Sequence, residues 1–270
     1  MAEFFNSICL TSVAPTVAEI MGMEASESMA EKNSILLKLA EKKLGGKKAD
    51  RAVLYNPDAV AMWLYQKYTD LYADALFASD IALPILSVMP SVTPVCFGSM
   101  YTGAMPDYHG IKRYEKPVIK VDTLFDVCIR SGKKPVIVST HKASISMIFL
   151  EREMDYFIYD TYDEVYEKAL ELIEEDIYDI IVIYNGEYDD KMHGRGPEAE
   201  ASMNALKSNL AFYTKLVDKI KTEWKSHDVL YGFMPDHGCH EIDGGYGSHG
   251  IEMGDDMNIM HFYGIKPAEK

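Results

Sequence analysis

A chain of 270 residues, 48% hydrophobic and 26% charged, is long enough for one large α/β domain or two small ones with a substantial buried core. Its net charge of −15, with no basic stripe in balance, disfavours a nucleic acid duplex as partner. No apolar run approaches the roughly 18–20 residues that span a bilayer, and no CxxC pair forms among Cys9, Cys96, Cys128 and Cys239. The sequence therefore predicts no membrane partner, no disulfide framework and a reducing cytoplasm.

The first 23 residues are moderately apolar, lack a basic start and contain Glu3 and Pro15, so they read as folded structure rather than a signal peptide. Residues 24–50 read as a charged, solvated helical segment closed by Gly45-Gly46, which makes 1–50 a helical N-terminal extension of a single domain over 1–270. Ala52 to Asn56 is a short strand, Ala59 to Ala78 a helix, and Leu83 to Met89 a Pro-bounded strand. Ser99 begins a short helical or turn element. Pro135 to Ser139 and Tyr156 to Tyr159 are β-rich. Tyr162 to Glu174 is an amphipathic helix with Val165, Ala169, Leu170, Leu172 and Ile173 near one face. Tyr178 to Tyr184 is a buried strand by its near-continuous β-branched run. Pro197 opens a long helix over Glu198 to Trp224, and Val229 to Met234 and Asn258 to Tyr263 are further strands. This alternation predicts an α/β fold with a mainly parallel central sheet and helices on both faces. Ligand sites in such sheets lie beyond the carboxyl ends of the strands.

Two clusters of carboxylate and imidazole fall at such ends. Asp236-His237-Gly238 follows the strand at 229–234, with Gly247-Ser248-His249-Gly250 after a glycine-rich stretch. Asp189-x-x-x-His193 follows the strand at 178–184, and this spacing sets both side chains on one face of a helical turn. Asp and His ligands suit zinc or another borderline divalent ion, and two such clusters suggest a two-metal site acting on phosphoryl groups. Thr93 stands after a strand: its hydroxyl is a nucleophile if a metal ion lowers its pKa, or merely a helix cap. Asp58 can place a carboxylate at the sheet edge or cap a helix. Asn56 competes with it, but an amide cannot neutralise a cation's charge. No GxSxG, P-loop or GxGxxG segment occurs.

Taken together, Asp58-Ala59, Thr93, Thr102-Gly103, Pro106-Asp107-Tyr108-His109-Gly110-Ile111, Asp189, His193, Gly196-Pro197, Asp236-His237-Gly238 and Gly247-Ser248-His249-Gly250 resemble, in order and spacing, the motifs of the alkaline phosphatase superfamily. The resemblance is greatest to its type I phosphodiesterase/nucleotide pyrophosphatase branch and covers residues 51 to 264. It implies an alkaline-phosphatase-like fold and two divalent metal ions, Zn2+ or Mn2+. Asp189, His193 and His249 would hold one, and Asp58, Asp236, His237 and the Thr93 hydroxyl the other. It further implies that Thr93 attacks phosphorus and that water hydrolyses the phospho-threonine formed. The substrate would be a small phosphorylated molecule such as a nucleotide. Asp190 and His240, beside the ligands, would support them.

The chain departs from the branch in two places. Lys112-Arg113-Tyr114-Glu115 stands where an Asn usually touches the phosphoryl group, so a cation there would substitute. Ala14 to Met23 is similar to a string that superfamily members carry after the last strand, an order that either a permuted chain or coincidence produces. The alternatives to the diesterase reading are a phosphomonoesterase or phosphomutase of the same superfamily, and a non-catalytic module that binds metal and phosphate.

Overall fold

The computed structural model describes residues 4–269. Its strands are β1 (Ile8–Cys9), β2 (Arg51–Pro57), β3 (Ile81–Leu86), β4 (Pro135–Thr140), β5 (Asp155–Tyr159), β6 (Ile180–Asn185), β7 (Val229–Phe233), β8 (His240–Ile242), β9 (Tyr246–Ser248) and β10 (Asn258–Lys266). The helices are α1 (Val13–Ile20), α2 (Ser34–Leu44), α3 (Met62–Lys67), α4 (Ala73–Ala78), α5 (Thr93–Thr102), α6 (Pro106–His109), α7 (Leu124–Arg130), α8 (Ser144–Ile148), α9 (Tyr162–Glu175), α10 (Glu187–Arg195), α11 (Glu200–Glu223) and α12 (Gly254–Met257).

Eight strands form one sheet in the order β1-β3-β10-β7-β2-β6-β4-β5, and β8 and β9 form a separate antiparallel hairpin. All neighbours in the large sheet are parallel except at β10, which runs antiparallel to both β3 and β7. The central strands alternate between two cores because side chains along a strand point to opposite faces. Ala52, Leu54, Ile180 and Val182 meet α1, α2, α5, α7 and α8 on one face. Val53, Tyr55, Ile181 and Ile183 meet α3, α4, α9, α10 and α11 on the other. The α11 stripe of Leu206, Leu210, Tyr213, Val217 and Ile220 follows the helical period and is buried along its length. No helix of the described residues is long and apolar enough to cross a membrane.

The predicted 59–78 helix is divided. Ala59 takes a left-handed φ of 61°, which turns the chain at the end of β2. Helix follows only in α3 and α4, with a 3-10 turn at Thr69–Tyr72 between them. The predicted 83–89 strand ends at Leu86, because Ser87 leaves the sheet and its hydroxyl donates to Asp236 O at 2.6 Å.

The N-terminal segment is built into the first core. Helix α1 buries Val13, Ala14, Val17, Ala18 and Ile20 and packs against α5 and α7. The Thr16 hydroxyl donates to Ser12 O at 2.6 Å and accepts the Asn33 N–H at 2.7 Å. Asn33 in turn caps α2, and Gly45 closes that helix at φ 63°. Val17→Asp should therefore prevent folding, because it buries a charge with no partner. Lys38→Asp, on the exposed side of α2, should leave the stability within about 0.5 kcal/mol. Urea denaturation of both variants checks this.

Candidate metal centre

Every candidate residue lies beyond the carboxyl ends of the parallel strands. Asp58 follows β2, Asp236 and His237 follow β7, and Asp189 and His193 ride on α10 after β6. Thr93 opens α5 after β3, and His249 follows β9. Asp189, His193 and His249 converge on one point, and Asp58, Asp236 and His237 on another. The His237 and His249 rings stack between the two groups with centroids 4.0 Å apart.

In the first group, Asp189 Oδ1 lies 3.3 Å from His193 Nε2 and 3.5 Å from His249 Nε2. In the second, His237 Nε2 lies 3.4 Å from both Asp58 Oδ1 and Asp236 Oδ2. The Thr93 hydroxyl reaches the second group, 3.3 Å from His237 Nε2 and 3.5 Å from Asp58 Oδ1. It caps no helix: Val92 is the N-cap of α5, with no side-chain cap bond. Asn56 is engaged elsewhere, accepting from the Tyr101 hydroxyl at 2.6 Å and donating to Met234 O at 2.9 Å. Between Asn56 and Asp58, the structure therefore brings only Asp58 into the cluster.

The surroundings aim these groups. His193 Nδ1 faces Gly247 O at 3.1 Å, His237 Nδ1 faces Gly238 O at 2.9 Å, and His249 Nδ1 faces Ser91 O at 2.8 Å. A carbonyl only accepts, so each Nδ1 carries a proton, and each ring in its neutral form turns its Nε2 lone pair inward. The outer oxygen of Asp58 accepts from the Tyr184 hydroxyl at 2.6 Å, and that of Asp236 accepts the Ala59 N–H at 3.3 Å. Asp189 Oδ1 and Asp236 Oδ2 are buried and have no hydrogen-bond partner among the described residues. His193 Nε2 and His249 Nε2 stand 3.0 Å apart. Lone pairs crowded in this way fit a divalent cation in each group, and the Asp/His donor set suits Zn2+ or Mn2+.

Protonation in the cation-free molecule reflects the same crowding. Burial, reinforced by the charge of Asp189, pushes Asp58 up to about 7. Burial and then the charge of Asp58 push Asp236 well above the usual carboxylate range. Asp189 goes the other way: burial opposes its charge, but contacts with His193 and His249 win and lower it. The contact with Asp189 raises His193 to about 9. Burial opposes the charge of His249, but the same carboxylate outweighs it and raises that ring. Burial, with the charge of His249, lowers His237.

Several expectations need correction. Asp190 accepts from the Tyr162 hydroxyl at 2.8 Å, and His240 Nδ1 meets Asp256 Oδ1 at 2.6 Å, so neither supports a ligand directly. Asp256 also accepts the Ile251 N–H at 3.0 Å and so ties down the loop that bears His249. Lys112 pairs with Asp107 and Arg113 with Glu115. Of that stretch only Tyr114 lines the space above Thr93, and the cation there is Lys116, one residue beyond it. Tyr184 was missed as a partner of Asp58; its place as the last apolar residue of a strand before Asp189 was the one available signal. His109 of the Pro-x-x-His-Gly motif is buried, with Nε2 3.0 Å from the Ser99 hydroxyl. A Cβ at Gly98 would stand 2.7 Å from its ring, so the motif packs α6 on α5.

A parallel sheet with Asp/His groups at its carboxyl edge defines an alkaline-phosphatase-like α/β fold. Comparison with solved structures bears this fold out, and among those matched are ectonucleotide pyrophosphatase/phosphodiesterases. Human ectonucleotide pyrophosphatase/phosphodiesterase 5 superposes with a TM-score of 0.56 at 14% identity, over 72% of this chain and 58% of that one. The murine protein gives 0.53 at 14% identity, over 72% and 58%. Its inactive variant in complex with AMP gives 0.55 at 12% identity, over 72% and 59%. The chain thus spans under three-fifths of the length of these structures. By sequence, no protein-family profile and no curated protein matches it.

Two outcomes follow from the geometry. His249→Ala should lower bound zinc from about two ions per chain to about one, read by elemental analysis of the dialysed protein. The second concerns pH. Asp58 and His193 both titrate higher in the folded, cation-free molecule than in the unfolded chain. That form therefore holds extra protons, and the stability they confer is lost as pH rises through about 7 and then about 9. A cation replaces those protons, so the rise in Tm from saturating Zn2+ should be larger at pH 8 than at pH 6. Equal rises at both would contradict this protonation pattern.

Proposed function

We propose that the chain is a metal-dependent hydrolase of phosphate esters, of the phosphodiesterase/nucleotide pyrophosphatase kind, working through a phospho-threonine. The observation that carries the proposal is the Thr93 hydroxyl, free of any capping role and set between Asp58 and His237 at 3.5 and 3.3 Å. In this reading Asp189, His193 and His249 hold one divalent ion, and Asp58, Asp236, His237 and Thr93 hold the other, Zn2+ or Mn2+. When bound, the ions supply positive charge that favours loss of the threonine proton and offsets charge on the phosphoryl oxygens.

Thr93 Oγ1 forms a bond to phosphorus as the bond from phosphorus to the leaving oxygen breaks; the threonine proton passes to water and the leaving oxygen takes one up. Water then attacks the phospho-threonine, which restores the hydroxyl and releases the phosphate product. Thr93 is buried at the first turn of α5, and the partial positive charge of that helix end favours an anion beside it. Tyr184 keeps Asp58 oriented throughout. The substrate is a small phosphorylated molecule, and the AMP held by a similar structure keeps nucleotides within the range to test. The four cysteines, which stand as free thiols, favour a reducing compartment and hence the cytoplasm.

Thr93→Ala should keep the fold and most of the bound metal while slowing hydrolysis of a nitrophenyl phosphate diester by roughly a thousandfold or more. Thr93→Ser should retain part of the activity. Turnover near the wild-type rate in Thr93→Ala, with metal content checked in the same sample, refutes the mechanism. Faster turnover of the nitrophenyl monoester than of the diester by the wild type would reassign the chain to the monoesterases. No turnover of either would leave a binding module.

A further inference from the structure

A pocket of about 160 Å3 opens over the two groups, with Asp58, Thr93 and Asp189 on one side. The loop after α6 and the turn after β4 form the other side and contribute Tyr114, Lys116 and Lys142. Lys116 Nζ donates to Lys142 O at 2.6 Å, which ties the two segments together, and lies 5.3 Å from the Tyr114 ring centroid. Among the described residues neither ammonium is ion-paired, whereas Lys112 and Lys120, the lysines that flank Lys116 in the chain, each have a carboxylate. Lys142 also holds a left-handed φ of 62°, a conformation that costs a lysine more than a glycine.

Lys116 and Lys142 line this small pocket together with Asp190, and in a chain of net charge −15 they are the two cationic side chains that an anion entering opposite Thr93 would meet. The phosphoryl group belongs on the Thr93 side. The lysines stand across a space smaller than the roughly 300 Å3 at which pockets for drug-sized ligands begin. We propose, resting on the phosphohydrolase reading above, that the substrate is a short acyclic phosphoester whose far end carries a second anionic group, a carboxylate or a further phosphoryl, held by Lys116 and Lys142.

Binding to zinc-loaded Thr93→Ala protein tests this without turnover. By titration calorimetry, 2-phosphoglycolate or ethane-1,2-diol bisphosphate should bind about tenfold more tightly than ethyl phosphate, and AMP no more tightly than ethyl phosphate. Adding Lys116→Met and Lys142→Met should erase that preference while changing the ethyl phosphate Kd less than about twofold. Lys142→Met alone, which keeps the Lys116 link to the backbone, should erase part of it. The proposal is overturned if ethyl phosphate binds as well as the dianionic probes, if AMP binds tightest, if the preference survives in the double variant, or if none of the probes binds. If the preference is present and lysine-dependent but the wild type hydrolyses no phosphoester, the pocket assignment stands and the hydrolase reading fails.

Discussion

Lone pairs facing one another, most of them buried, are the constraint on which this structure turns. Imidazole nitrogens and carboxylate oxygens from four separate segments point inward at 3.0–3.5 Å, and two of the carboxylate oxygens have no hydrogen-bond partner among the described residues. Such groups repel unless protons or cations stand between them. Folding has to hold them together, and the two cores packed on the central sheet supply the rigidity to do so. The backbone carbonyls of Ser91, Gly238 and Gly247 fix the rings, while Tyr184 and the Ala59 N–H fix the carboxylates.

The sheet explains why these residues meet at all. In a parallel sheet every strand delivers its carboxyl end to the same edge, so loops distant in sequence become neighbours. Asp58, Thr93, Asp189 and Asp236 arrive in this way from β2, β3, β6 and β7. The antiparallel β10 lies between β3 and β7 and keeps Thr93 on the same edge as the rest. His249 reaches the edge by another route. The β8–β9 hairpin carries it, and Asp256 anchors the turn that follows. The parts shared with the ectonucleotide pyrophosphatase/phosphodiesterase 5 structures cover 72% of this chain, despite 12–14% identity.

Charge is distributed unevenly around that edge. The molecule is acidic as a whole, and the aspartates of the site would add to that field if left uncompensated. Divalent cations held there would invert the local sign, which would let an acidic protein bind an anionic ester. Lys116 and Lys142 line the side of the pocket opposite Thr93 and would add to that positive charge. The acidity of the whole chain and its proposed affinity for phosphate are therefore compatible, because one is a property of the surface and the other of a few buried ångströms.

By itself the sequence determined the alternation of strands and helices, the parallel character of the sheet and the identity of the residues that converge on its edge. Those are local properties: β-branched runs such as 180–183, the apolar stripe of α11, and Asp and His placed just after apolar strands. Tertiary structure decided what depends on distant segments. It broke the 59–78 helix, because the backbone turn at Ala59 that sets Asp58 in place is stabilised by Asp236. It occupied Asn56 with Tyr101 and Met234, assigned Tyr184 to Asp58, and turned Asp190 and His240 to other partners. It also drew Leu36, Ala40 and Leu44 of α2 into the core, where the composition of residues 24–50 had suggested a solvated helix, and brought Lys116 and Lys142 together across 26 residues. Spacing along a chain shows which side chains can share a face; which of them share a hydrogen bond depends on how the faces pack.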